Sequence, residues 1–311
     1  MEMEDYIHRP EVMLLTYTQE PTKTVAAAAK LCYSNADPMT IFDGLDDNSA
    51  NKFIDMLSGF GHASPFEHAN FTFVLNNFSR VTLAQLTRHR IASYSIRSQR
   101  YVDNKKNFKP VVPEAIFDND EAFMIYDETL DKIAESYTKM ERILGLQYMN
   151  INLKKFEVQS EANAKDVKDL GKFFGIDPDI TGDALIAAIC EEGFGDIQFT
   201  DPEKKNDPLF KMIRGMATAA RRKAGEDCRY IYPNGANTAG IITMNARELN
   251  NFFNLRCCNR AQWEIRDIAW KMHDEVMQVA PALFKKSGPS CLHGKCSEGK
   301  MTCGNPYKEE K

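Results

Sequence analysis

"ANFTFVLNNFSRVTLAQLTRHRIASYSIRSQRY", residues 69–101, changes its hydrophobic period twice. In residues 69–78, Phe71, Phe73 and Leu75 fall on one side and Asn70, Thr72 and Asn76 on the other. A period of two with one apolar side predicts a half-buried strand. Ser79 then suits a helix N-cap, because its hydroxyl can accept from an orphan N–H of the first turn. "RVTLAQLTRHR" follows as a short helix, with Val81, Leu83, Ala84 and Leu86 at core spacing. Gln85 and Arg88, three apart, share a face of that helix. "RHRIASYSIRSQRY" (88–101) reads as extended, with Ser98 and Arg100 pointing the same way. Strand, helix and extended segment in succession mark a mixed α and β chain.

The last fourteen of these residues hold four arginines, one histidine and three serines, and no carboxylate occurs between Glu67 and Asp103. The whole chain carries a net charge of −5, so this cation density is local. Guanidinium forks and hydroxyls suit phosphate oxygens. The competing reading is a basic surface strand paired with acidic helices elsewhere.

A chain of 311 residues is long enough for one large domain or two small ones. Its 43% hydrophobic and 27% charged content is that of an ordinary folded protein. No apolar run reaches membrane-spanning length, and "MEMEDYIHRPEV" lacks an apolar leader, so a cytoplasmic protein without a membrane partner is expected. Net acidity argues against a duplex nucleic-acid binder. In such a compartment the eight cysteines are expected as thiols or metal ligands.

Elsewhere, Tyr126, Leu130, Ile133, Tyr137, Met140 and Leu144 form a helical stripe over 126–144. Residues 160–206 read as short helices joined by Gly and Pro turns, an insertion that could form a small subdomain. "PLFKMIRGMATAARRKAGEDCRY" is a further helix, and a final one is expected from about Arg260 to Lys285. The domain is drawn as 1–285, followed by a Cys-rich tail, 286–311.

Three more clusters carry polar chemistry. "GHASPFEHANF" (61–71) sets His62, Ser64, Glu67 and His68 around a Ser-Pro turn, either a loose metal site or a strand-initiating turn. "NARELNNFFNLRCCNRAQWEIR" (245–266) sets Asn245, Arg247, Asn251, Arg256 and Gln262 among large apolar residues. Amides there can read the edge of a planar heterocycle, or simply cap helices. Cys257 and Cys258 invite a nucleophile role but fit small buried residues better. In the tail, Cys291, His293, Cys296 and Cys303 have zinc chemistry without a tight CxxC spacing; a disordered tail is the alternative.

Taken together these stretches resemble the flavin-dependent thymidylate synthases. The family signature is Arg-His-Arg, seven residues, then Ser; here it is Arg88-His89-Arg90, "IASYSIR", Ser98. "GHASPFEH" resembles the family's N-terminal cofactor block and "NARELNNFFNLRCCNRAQWEIR" its C-terminal block. The resemblance implies an α/β fold, with an antiparallel sheet flanked by helices. It implies conversion of dUMP to dTMP, with 5,10-methylenetetrahydrofolate as carbon donor and FAD reduced by NADPH as hydride source. By position, Ser64, Arg88, His89, Arg90, Asn245, Arg247 and Asn251 would contact FAD. His62 and Glu67 would lie near the flavin and folate. Gln85, Arg88, Ser98, Gln99, Arg100, Arg229 and Arg256 would bind dUMP. Arg256 would stabilise negative charge on the uracil and so is the catalytic candidate. The family assembles as a homotetramer with shared active sites. Ile96 and Arg97 depart from the family's usual residues. The reading from another class is a non-catalytic nucleotide or RNA binder, with Tyr94 and Tyr101 as stacking platforms.

Overall fold

Tyr6 and residues 9–98, 110–194 and 206–307 are described by a computed structural model. The strands are β1 (Glu11–Tyr17), β2 (Asn70–Ser79), β3 (Ala92–Ile96) and β4 (Asn237–Asn245). The helices, in chain order, are α1 (Pro21–Leu31), α2 (Pro38–Asp43), α3 (Asp47–Phe60), α4 (Arg80–Leu86), α5 (Glu114–Phe117) and α6 (Asp120–Glu157). They continue as α7 (Glu161–Phe173), α8 (Gly182–Phe194), α9 (Pro208–Cys228), α10 (Ala246–Arg256), α11 (Trp263–Val279) and α12 (Pro281–Phe284). The chain divides into two compact units, residues 2–97, 109–114 and 234–311 in one and residues 98–108 and 115–233 in the other, with Met1. Among the described residues no helix is long and apolar enough to cross a membrane.

The first unit is built on an antiparallel sheet of order β1-β2-β4-β3. Partners in register point to the same side, so Leu14, Phe73, Ile242 and Tyr94 form one row on the core face. The adjacent row, Met13, Val74, Ile241 and Ser95, lies on the opposite face. Phe71, Phe73, Leu75 and Phe78 of β2 are all fully buried. Leu75 and Phe78 are an odd step apart. A register shift between them, with Asn77 at a φ of 58°, turns Phe78 back into the core. Phe252 and Phe253 of α10 and Ile265, Ile268, Met272 and Val276 of α11 complete that core.

Helix α4 departs from the expected stripe. Thr82, Leu83 and Leu86 face inward, while Val81 and Ala84 are exposed. The cause is a polar anchor at its start. Buried Glu264 accepts from the Ser79 N–H (2.6 Å), the Ser79 hydroxyl and the Thr82 hydroxyl (2.8 Å), which sets the rotation of the helix. The helix ends at Leu86, so Arg88 lies beyond it and does not share a helical face with Gln85. The long final helix expected to Lys285 is broken: α11 ends at Val279 and Pro281 starts α12, since proline has no N–H to continue the ladder.

In the second unit α6 runs well beyond the predicted 126–144. Met149 and Leu153 prolong its stripe and pack with Val167 and Leu170 of α7, Ile186 and Ile189 of α8, and Phe210 and Ile213 of α9. The described part of the expected insertion, α7 and α8, therefore contributes to a core it shares with α6 and α9. Gly145 permits the closest approach; a Cβ there would sit 1.9 Å from the Phe194 ring.

The tail is docked. Ser287 is buried, Asn259 Nδ2 donates to the Asn305 carbonyl (2.8 Å), and Arg260 pairs with Glu298 (3.2 Å). Trp270 Nε1 donates to the Tyr307 hydroxyl at 3.3 Å. Residues 287–307 are thus held against the turn between α10 and α11 and against the middle of α11.

Candidate functional site

Asn245 ends β4 and caps α10: its Oδ1 accepts from the Glu248 N–H at 2.9 Å. That cap aims Glu248, three residues on, into the protein interior. There the Glu248 carboxylate meets Nδ1 of His89 at 2.8 Å. Arg256, two further turns along α10, donates from Nε to Nε2 of His89 at 3.1 Å. An arginine is always protonated, so Nε2 must be the acceptor and Nδ1 must carry the proton donated to Glu248. His89 is therefore neutral. Burial drives its pKa down, the Glu248 hydrogen bond pushes it back up, and the Arg256 charge lowers it further. The edge of its ring packs against Phe252, with centroids 4.9 Å apart.

The family resemblance gave His89 a flavin contact. The His89 ring is only 4% exposed and both nitrogens are engaged, so it faces Glu248 and Arg256 rather than an open surface. Its neighbours differ. Arg88, Arg90 and Arg97 are exposed, and among the described residues none of the three has an ion-pair partner. Arg256 is half-buried; burial first, and then the charge of Arg88, make its cation harder to hold. Two guanidinium groups close enough to oppose each other, Arg88 and Arg256, favour an anion between them.

The turn carrying these arginines is braced by Tyr94, whose hydroxyl donates to the carbonyls of Leu86 (2.8 Å) and His89 (2.7 Å). Burial, then Glu248, pushes the Tyr94 pKa up to about 12. Its ring packs against the core, so it offers no stacking platform for a base. Tyr101 lies outside the described residues, as do Gln99 and Arg100. Ser98 is described but falls in the second unit, as does Arg229, the C-cap of α9.

His62, Ser64, Glu67 and His68 occupy the turn between α3 and β2; Gly61 ends α3 at a φ of 71°, and Ser64–His68 form a 3-10 turn. Glu67 pairs with Arg247 of α10. His62 and Arg247, with Asp55, Ser58, Lys285 and Lys286, line a cleft of about 190 Å³. Asn251 donates to Glu248 at 3.4 Å, and Gln85 to the Val81 carbonyl at 3.5 Å.

Burial raises the Cys257 pKa, so that thiol is no nucleophile at neutral pH. Among the described residues no group of three His, Cys, Asp or Glu is placed to hold a metal. In the tail, His293 Nε2 faces the Ser287 carbonyl (2.9 Å) and the Cys303 thiol faces that of Asn305, so Cys291, His293, Cys296 and Cys303 do not converge. Glu248 and Glu264 escaped the sequence analysis. The available signal for Glu248 was Asn245-x-x-Glu at the head of an apolar run, the spacing of a helix cap.

The sheet and its capped α10 thus hold the Glu248–His89–Arg256 chain beside the exposed Arg88, a charge arrangement suited to an anion. The family model described as thymidylate synthase complementing protein matches residues 13–282. The chain is 37% identical over 301 residues to a flavin-dependent thymidylate synthase of Clostridium tetani, covering 97% of this chain and 96% of that one. It is 32% identical over 295 residues to one of Geobacter sulfurreducens, covering 94% of each. Among solved structures, the UMP/dUMP methylase PolB of Streptomyces cacaoi bound with 5-Br dUMP is similar in fold, with a TM-score of 0.54 and 17% identity over 90% of this chain and 95% of that one. The chain belongs to the flavin-dependent thymidylate synthase family.

Proposed function

We propose that this chain is a thymidylate synthase that converts dUMP to dTMP, with 5,10-methylenetetrahydrofolate giving the carbon and becoming tetrahydrofolate. The observation that carries the reading is half-buried Arg256, whose cation is opposed by the charge of Arg88, an exposed arginine without an ion-pair partner among the described residues. The same donor set fits the diphosphate of FAD, with Ser64, Asn245, Arg247 and Asn251 as its further partners. When bound, FAD reduced by NADPH supplies the hydride that completes the methyl group.

The protein's own part is position and charge. By the family resemblance, Arg88, Ser98, Gln99, Arg100 and Arg229 are ligands of dUMP, and Arg90 is a ligand of FAD. His62 and Glu67 border the flavin and folate region, and Gln85 contacts the nucleotide. Arg256 lies against the uracil. Among the described residues only its Nε is spent, so both Nη groups remain to stabilise the N3 anion, which activates C5 toward the methylene carbon. The active form is a homotetramer; Met13 and Ile241, 53% and 44% exposed on the outer sheet face, suit subunit association. Cysteines that form no disulfide among the described residues fit a cytoplasmic enzyme.

The test is chromatographic detection of dTMP from dUMP, methylenetetrahydrofolate and NADPH, with a visible flavin spectrum recorded first. A yellow protein whose dTMP output requires all three supports the reading. A protein that takes up no FAD and binds no dUMP refutes it.

A further inference from the structure

We propose that His89 is a positioning residue for Arg256, and that Glu248 is the group that selects the working tautomer of His89. The proposal rests on the thymidylate synthase reading above. Three side chains from two separate stretches form one directional chain. Glu248 accepts from Nδ1–H of His89 at 2.8 Å, and Nε2 of His89 accepts from Nε–H of Arg256 at 3.1 Å. Each link has one possible direction. The guanidinium can only donate, so the imidazole must accept on Nε2, and the carboxylate can only accept, so the imidazole must donate from Nδ1.

Arg256 closes α10, is half-buried, and among the described residues bonds only through its Nε. A flexible guanidinium anchored at Nε loses one rotational degree of freedom and presents its two Nη groups in a fixed plane. That plane is what an N3–C2 or N3–C4 edge of a uracil requires. The anchor is buried: His89 is 4% exposed and Glu248 is 6% exposed. Asn251 adds a donor to Glu248 at 3.4 Å, and Tyr94 holds the His89 carbonyl, so the imidazole is fixed from α10 and from β3.

The arrangement has a built-in acid limit. A proton on Nε2 would place two N–H donors face to face, and Arg256 would have to swing away. The charged and titratable groups facing the ring are Glu248, which favours that proton, and Arg256, which opposes it; Phe252 packs its edge, and Tyr94 touches only its carbonyl. Burial works with Arg256.

The experiment compares wild type, H89Q, H89L and E248Q in the flavin-loaded enzyme. It reads kcat and KM for dUMP from pH 5 to 9, and dUMP affinity by calorimetry in the same buffers. A glutamine carboxamide offers an acceptor and a donor with about the spacing of the two ring nitrogens, and it does not titrate. H89Q is expected to keep kcat within about tenfold of wild type and to lose the acid limb. H89L is expected to lower kcat by about a hundredfold, with a smaller change in KM, the scale of one misaimed charge-stabilising donor. E248Q removes the charge that favours imidazolium, so the acid limb should move to lower pH. Nitrogen-15 spectra of the imidazoles should give His89 an unprotonated Nε2 at neutral pH. Wild-type and H89L enzymes with the same kcat and acid limb, or a protonated Nε2, would overturn the inference alone. A wild type that neither binds nor methylates dUMP would overturn the thymidylate synthase reading and this inference with it, whatever the tautomer.

Discussion

Replacing Glu264 with alanine should destabilise the sheet unit severely, by an amount the structure lets one estimate. The carboxylate is 1% exposed and accepts three hydrogen bonds, from the Ser79 N–H and hydroxyl and from the Thr82 hydroxyl. Ser79 and Thr82 are themselves buried, at 2% and 0% exposure. Truncation thus strands buried donors at the head of α4 and opens a small cavity. Unsatisfied buried groups cost about 1–3 kcal/mol each, partly relieved by water, so a loss of about 3–4 kcal/mol is expected. Both tryptophans, Trp263 and Trp270, lie in α11, so intrinsic fluorescence reports on this unit alone. With a urea slope of about 2 kcal/mol/M, the midpoint should fall by roughly 1.5–2 M. E264Q keeps the shape and one acceptor and loses the charge, so its midpoint should fall by about half as much. An E264A midpoint within about 0.3 M of wild type would show that Glu264 does not anchor α4.

Three further outcomes are expected. R256K should retain dUMP binding within about tenfold but lose about two orders of magnitude in kcat, because an ammonium cannot bond His89 and the substrate in one plane; steady-state kinetics decide it. His89 and His273 both have folded pKa values pushed below their usual one, chiefly by burial, so the unfolded chain takes up protons first. Stability should therefore be full above pH about 6.5 and fall as the pH is lowered from there toward 5, measured as the urea midpoint; a midpoint flat over that window would contradict it. G145A should destabilise the helical unit by about 2 kcal/mol, through the overlap with Phe194, and far-UV circular dichroism should show it while tryptophan fluorescence does not move.

Much of the local structure was legible along the chain, because it depends on neighbours in sequence. Alternation at Phe71, Phe73 and Leu75 marked β2, and Ser79 was identifiable as the cap of α4. The Arg88-His89-Arg90 signature and the block from Asn245 carried the family. Helix rotation and helix ends were harder. Val81 and Ala84 look inward by spacing, yet Glu264, 185 residues from Ser79, turns α4 the other way.

The division of labour inside the signature was invisible in the linear chain. Three consecutive basic residues differ in role: Arg88 and Arg90 stand exposed, while His89 is buried between a carboxylate and a guanidinium supplied by α10. The tail shows the same limit, since its cysteines suggest a metal by composition while its backbone is held by Asn259, Arg260 and Trp270. The sequence by itself determined periodicity, caps and the residue types that bind anions, because those are short-range properties of the backbone and side chains. Tertiary structure alone decided which nitrogen of His89 carries its proton, since that depends on a carboxylate and a guanidinium brought to it from about 160 residues away.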